Sequence, residues 1–298
     1  MLCTGVDTVK RDTPNAANRA GSDMTLKHYF TEHQQWDLEL VLVRHGTTLW
    51  NRERRYLGHS DLGLLPGAEQ ELEPLREKLQ RHSFARIYCS DLIRCRQTLQ
   101  IILPELKPEL EGGAHFESKP ESRLELTSKL DSERLLSNMS AWSAIMEPRL
   151  RELHFGEWDG KTYDMLKDVA LYRAWIDEPQ RVTPPGGEPW KDFVNRLGEF
   201  LDSLYEWRKM MEIQKIGLSD APPPVLVVTH GGVIRQLACM LVPGHDFWSL
   251  NPKPGAAITI RLRLAQKPFA DLTATRSTQS HPDLATGHKF TGWLVEQT

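Results

Sequence analysis

The chain has 298 residues, 40% of them hydrophobic and including nine Trp and nine Phe, enough apolar material for a sizeable core. A formal net charge of -3 excludes a global basic field for nucleic acid or an anionic membrane, so an anion must be held by a local cluster of cations. No run approaches the ~18 apolar residues that span a bilayer, and Cys3, Cys89, Cys95 and Cys239 form neither a metal-ligand spacing nor a disulfide framework, which suits a reducing cytoplasm.

Residues 1–35 lack the apolar stretch of a secretory signal and are rich in Thr, Asp, Asn, Arg and His, so they read as a flexible N-terminal extension. Nothing before Met24 resembles a structured element, which makes Met24 an alternative translation start. A single domain is expected over 36–298. It opens with a strand, Leu38 to Arg44, whose apolar run ends in Arg44-His45-Gly46. Helical spacing follows over Leu65 to Gln80, then a strand from Ala85 to Cys89 that ends at Ser90-Asp91, a helix start signal. The helix carrying Arg94 and Arg96 stops before Pro104. Tyr163 to Ile176 and Trp190 to Met211 read as helices separated by Pro184-Pro-Gly-Gly187. Pro222-Pro-Pro224 introduces a strand, Val225 to Val228, which ends at Thr229-His230-Gly231-Gly232 and leads into a helix, Val233 to Leu241. Ala257 to Leu264 alternates like a half-exposed strand near the sheet edge. Alternating strands and helices of this kind predict a three-layer α/β/α sandwich with a mostly parallel sheet.

Two histidines are thus delivered to strand ends, where ligands bind in open α/β sheets. The glycine after each lets the backbone turn and lets a ligand approach main-chain N–H groups. Arg44 adds a permanently charged fork suited to phosphate oxygens. The simplest chemistry for this set is phosphoryl transfer through a phosphohistidine.

The segment Arg44-His-Gly-Thr-Thr-Leu-Trp-Asn51 resembles the Arg-His-Gly-x-Ser/Thr-x-x-Asn signature of the histidine phosphatase superfamily, the phosphoglycerate mutase-like group. Ser90-Asp-Leu-Ile-Arg-Cys-Arg-Gln-Thr98 resembles its second phosphate-binding segment, Leu150-Arg-Glu-Leu-His-Phe-Gly-Glu-Trp-Asp-Gly160 its acid-bearing segment, and Thr229-His-Gly-Gly232 its second histidine. The four come in the family's order and span residues 38 to 263. The resemblance implies that His45 is the nucleophile, that Arg44, Arg94 and His230 bind the phosphoryl oxygens with Asn51 as a neutral donor, and that Glu152 is the acid. Thr48 and the Gly231 N–H are further phosphate contacts, or else serve only the turns they occupy. Glu152 needs a raised pKa to carry a proton near neutrality. Arg96 and Glu157 are expected to be structural, as are Trp50, Trp158 and Trp175. No metal or other cofactor is expected.

Within the family, Pro185-Gly-Gly-Glu188 resembles the branch of alpha-ribazole phosphatases and broad-specificity phosphatases. Glu188-Pro189 departs from the Glu-Ser of that branch and Leu57-Gly58 from its Gln-Gly, and both are expected near the substrate. The implied activity is hydrolysis of a small phosphorylated metabolite, with alpha-ribazole phosphate as a candidate. A phosphoglycerate mutase-type isomerase, a sugar bisphosphatase, and an inactive phosphate-binding interaction module stay open. The stretch at 106–144 is an insertion relative to the family, rich in Glu, Lys and Ser. It is expected to contain a helix or two that pack back through Leu130, Leu135, Leu136, Met139, Trp142 and Ile145, either over the crevice or as a solvated surface segment.

Overall fold

The computed structural model describes residues 37–106, 144–213, 222–264 and 290–297. All belong to the unit Trp36–Thr298; the expected extension at 1–35 and nearly all of the insertion lie outside the described residues. A six-stranded sheet carries the architecture. In chain order the strands are β1 (Leu38–Arg44), β2 (Arg86–Cys89), β3 (Ile145–Met146), β4 (Val225–Thr229), β5 (Ala257–Leu264) and β6 (Phe290–Gln297). Their spatial order is β3-β2-β4-β1-β5-β6. β3, β2, β4 and β1 run parallel, whereas β5 and β6 are antiparallel additions.

Strand alternation divides the core in two. Leu38, Leu40 and Leu42 of β1, with Val225 and Val227 of β4, pack into one apolar layer. Val41 and Val43, with Leu226 and Val228, face the other. Helices α2 (Ala68–Leu79) and α3 (Ile93–Ile102) cover the second face through Leu72, Leu75, Leu79, Cys95, Leu99 and Ile102. The first face receives α6 (Trp190–Ile213) and α7 (Gly231–Leu241), with Phe193, Leu197, Phe200 and Leu204 falling at helical spacing on one side of α6. Burial on both faces is why these strands read as unbroken apolar runs.

As expected, Ala257–Leu264 lies near the sheet edge, one strand in, with β6 paired along its far side from Ile258 to Leu264. Two differences from the sequence reading have physical reasons. The single helix expected over Tyr163 to Ile176 is two, α4 (Tyr163–Leu166) and α5 (Ala170–Asp177), with Val169 in extended backbone between them. Ile145 does not pack inward from a helix; it belongs to the two-residue edge strand β3 and is 38% exposed. A short helix, α1 (Leu49–Arg52), is capped by Thr48.

Because β1 lies between β4 and β5, its inward side chains are sheltered on every side. Replacing Leu42, which is fully buried, with Ala is expected to lower unfolding free energy by about 3 kcal/mol, measured by urea titration monitored through the tryptophans.

Candidate active site

The parallel neighbours β1, β4 and β2 end side by side, and the chain continues the ladder one step past each. His45 N–H donates to Thr229 O at 2.9 Å and Ser90 N–H to Val228 O at 2.9 Å. That registration sets the His45 and His230 rings 5.2 Å apart, edge to face. Of the residues expected at the site, His45, Arg94, Glu152 and His230 are buried. Strand register therefore does the first part of the assembly.

His45 Nδ1 lies 2.8 Å from Gly46 O. A carbonyl oxygen only accepts, so Nδ1 carries the hydrogen and Nε2 keeps its lone pair. Burial, reinforced by the cations of Arg94 and Arg44, holds this imidazole well below its usual pKa of 6.5. The ring is a neutral base with one nitrogen oriented by the backbone and the other available as a nucleophile. Gly46 N–H in turn donates to Thr98 Oγ1 at 2.9 Å, and that hydroxyl donates to Arg94 O at 2.7 Å.

Arg94 is completely buried. Its Nη2 donates to Gly58 O at 2.6 Å, its Nη1 to Ser60 O at 2.9 Å and its Nε to His230 Nδ1 at 3.3 Å. Asp91 is engaged elsewhere and accepts from Arg151 Nε at 2.7 Å. Arg96 is exposed on another face of α3. His230 Nδ1 accepts from a cation that cannot itself accept, so its Nε2 bears the hydrogen and faces Ser90 Oγ at 2.9 Å. Burial and the Arg94 charge hold His230, too, well below 6.5. In this conformation His230 acts on the site by orienting Arg94.

Arg44 is anchored by Nη1 to Pro252 O at 2.7 Å, while its buried Nε has no acceptor among the described residues. That donor suits the oxygen of an anionic ligand. A Cβ at Gly231 would stand 3.3 Å from the Arg44 guanidinium, and the Gly231 N–H opens α7, where no intrahelical acceptor exists. Thr48 is buried and its hydroxyl is engaged with Asn51 in the α1 capping box. Asn51 Oδ1 accepts from Thr48 N–H at 3.1 Å and Thr48 Oγ1 at 2.9 Å, which leaves the Asn51 amide nitrogen as its donor toward the crevice. Asn51 and Arg44 both line a cavity of ≈ 380 Å³.

Glu152 enters from the opposite direction. Its Oε2 accepts from Gly232 N–H at 2.8 Å and its Oε1 from Leu153 N–H at 2.9 Å. A network that the sequence reading did not identify fixes this segment. Arg196 of α6 donates to Arg149 O at 2.5 Å, Arg151 O at 2.7 Å and Glu152 O at 3.0 Å, and pairs with Glu188 at 2.6 Å. Glu188 thus braces the acid segment from behind. The brace is closed by backbone bonds, Glu157 N–H to Pro185 O at 2.8 Å and Glu188 N–H to His154 O at 2.9 Å. Gly156 has φ +56, and a Cβ there would come within 2.1 Å of Pro185 O, so only glycine fits. The signal for Arg196 was a charged residue within the apolar face of α6; it stacks over Phe193 at 4.9 Å.

Asp159 was also missed. Its Oδ1 accepts from Gly58 N–H at 2.6 Å, and its Oδ2 from Ser60 N–H at 3.0 Å and Ser60 Oγ at 2.7 Å. It shapes the loop whose carbonyls hold Arg94. Arg235, a third cation, is fixed by Leu250 O at 2.9 Å and Asn251 Oδ1 at 2.8 Å. Glu157 is exposed, whereas Trp158 and Trp175 are in the core. Among the described residues no His, Cys, Asp or Glu cluster could hold a metal ion, and no helix is long and apolar enough to cross a membrane.

The histidine phosphatase superfamily (branch 1) profile matches residues 40–116 and 131–271. The chain belongs to this superfamily. It is 31% identical to phosphoglycerate mutase-like protein 4 of Arabidopsis thaliana over 67% of this chain and 69% of that one. It is 24% identical to the adenosylcobalamin/alpha-ribazole phosphatase of Escherichia coli, covering 76% and 93% respectively. Fructose-2,6-bisphosphatase TIGAR B of Danio rerio matches at 28% identity over 80% of this chain and 91% of its own. The crystal structure of the alpha-ribazole phosphatase from Shigella flexneri shares the fold, with TM-score 0.54 and 23% identity over 77% of this chain and 92% of that one. This superfamily enzyme therefore has relatives named as phosphatases and as mutases.

Two expectations follow from the geometry. Because His45 and His230 are held neutral, the unfolded chain takes up their protons as pH falls below 6.5 while the folded chain does not. Their contribution to stability is therefore complete above that value and is lost on acidification, at about 1.4 kcal/mol per pH unit for each. Urea midpoints should drop below pH 6, less steeply in His230→Asn. A methyl at position 232 would meet Glu152 Oε1 at 2.2 Å, so Gly232→Ala is expected to displace the acid. Turnover of alkyl phosphates should fall roughly 10²-fold, with p-nitrophenyl phosphate, whose leaving group needs no proton, affected less.

Proposed function

We propose that this protein hydrolyses the phosphomonoester of a small phosphorylated metabolite through a phosphohistidine on His45. The observation that carries the reading is the His45 ring, neutral and turned by its Nδ1–H to Gly46 O so that Nε2 keeps its lone pair, within the field of the Arg94 and Arg44 charges. In the first half-reaction Nε2 forms a bond to phosphorus as the bond to the ester oxygen breaks. Glu152 gives its proton to the departing alkoxide. In the second, Glu152 as carboxylate takes a proton from water, whose oxygen displaces Nε2 and releases orthophosphate.

Charge on the transferred group lies on its non-bridging oxygens, so positioned cations and N–H donors supply most of the catalysis. Arg44, through its unpartnered Nε, Arg94, Asn51 and the Gly231 N–H are the donors; His230 aligns Arg94. With positive charge supplied by arginines, the reaction requires no metal ion.

The test is phosphate release from a panel of monoesters in EDTA, alpha-ribazole phosphate and fructose 2,6-bisphosphate included, with 3-phosphoglycerate isomerisation followed in parallel. Hydrolysis that persists in EDTA and disappears in His45→Ala, with an acid-labile phosphoenzyme trapped on wild type, is the expected result. Arg44→Ala should cost 10²–10³-fold in rate, on the order of other oxyanion donors. Isomerisation without phosphate release would replace hydrolase by mutase, and phosphate binding without turnover would leave an interaction module.

A further inference from the structure

Arg54 has φ +55 and is the one non-glycine residue with positive φ among the described residues. The turn itself explains the angle. α1 ends there, with Arg54 N–H bonded to Asn51 O at 3.2 Å and Arg55 N–H to Trp50 O at 2.9 Å, and a helix stop of this type favours glycine in the left-handed position. Glycine would satisfy the backbone; the arginine does not serve the turn. Its side chain must be accounted for elsewhere.

That side chain lines the same ≈ 380 Å³ cavity as Arg44 and Asn51, with Tyr56 and Tyr163 on the walls. Three arginines and no carboxylate line it. Two are committed: Arg44 to Pro252 O at 2.7 Å, and Arg55 to Glu53 at 2.5 Å and Gly160 O at 2.7 Å. Arg54 makes no side-chain hydrogen bond or ion pair among the described residues. Its exposed guanidinium stands on the turn tied to Asn51, so its place relative to the phosphoryl site is set by α1. A strained backbone position retaining a cation on a cavity wall points to a ligand for that cation.

We propose that Arg54 is a specificity-determining residue that binds a second anionic group of the substrate, a carboxylate or a second phosphate, while the transferred phosphoryl lies at His45. This rests on the phosphohydrolase reading above and narrows its substrate class to doubly anionic phosphomonoesters. A cation reached through one or two charge-assisted hydrogen bonds discriminates by about tenfold.

The experiment compares wild type with Arg54→Gly and Arg54→Lys on 3-phosphoglycerate, 2,3-bisphosphoglycerate and glycerol 3-phosphate, with titration of 3-phosphonopropionate, whose P–C bond is not hydrolysed, and orthophosphate as ligands. Wild type should prefer the doubly anionic esters. In Arg54→Gly the ratio of their kcat/KM to that of glycerol 3-phosphate should fall about tenfold, mainly through KM, with partial recovery in Arg54→Lys. Tm should hold or rise, since glycine relieves the turn. The carboxylate and bisphosphate arms show which group is preferred. An equal loss on all three esters, or no change in the ratio, overturns the proposal while leaving hydrolysis in place. If no ester is turned over, the hydrolase reading fails, and the subsite is then decided by whether Arg54→Gly weakens 3-phosphonopropionate more than orthophosphate; equal weakening sinks it.

Discussion

A guanidinium removed entirely from water is the constraint around which this site is organised. Burying Arg94 is costly unless its donors are matched, and the chain matches them with two carbonyls of the 58–60 loop and a ring nitrogen of His230. Those carbonyls point inward because Asp159 holds the N–H groups of the same loop. His230 can accept because it is neutral, and it is neutral in part because Arg94 is there. Added to burial, one cation thus helps to hold both histidines neutral, and it requires a loop of defined shape.

The acid side has a parallel logic with a weaker buried charge. Arg196 and Glu188 neutralise each other, and the guanidinium also donates to the carbonyls of Arg149, Arg151 and Glu152. The pair contributes little net stability by itself. Its role is geometric, since it fixes the backbone from which Glu152 reaches Gly232. Neither Gly231 nor Gly232 has a positive φ; each is glycine because a side chain from another segment, Arg44 or Glu152, occupies the space of a Cβ.

The strands β1, β2 and β4, the helices beside them and the segments that bring His45, Arg94 and His230 together were legible in the sequence, because buried parallel strands give continuous apolar runs and these residues sit in short motifs that follow strand ends. What escaped depends on contacts between distant segments. Asp159 stands in a Trp-Asp-Gly turn that reads as loop chemistry, and its value comes from residues roughly a hundred positions away. Arg196 was hidden by the helix that carries it. Tyr163 to Ile176 kept a helical rhythm across a break that only Val169's backbone reveals.

The segment that follows the 106–144 interval is fastened to the strand that precedes the Arg94 helix. Met146 pairs with Cys89 in β3–β2 register and Glu147 N–H bonds to Cys89 O at 2.8 Å, next to the Ser90 that begins the Arg94 segment. The separation of Arg94 from Glu152 is therefore dictated by strand pairing and is independent of how much polypeptide lies between. Closure entropy grows only with the logarithm of loop length, so this interval is a splice point, where sequence can be gained, lost or exchanged without resetting the distance between Arg94 and Glu152.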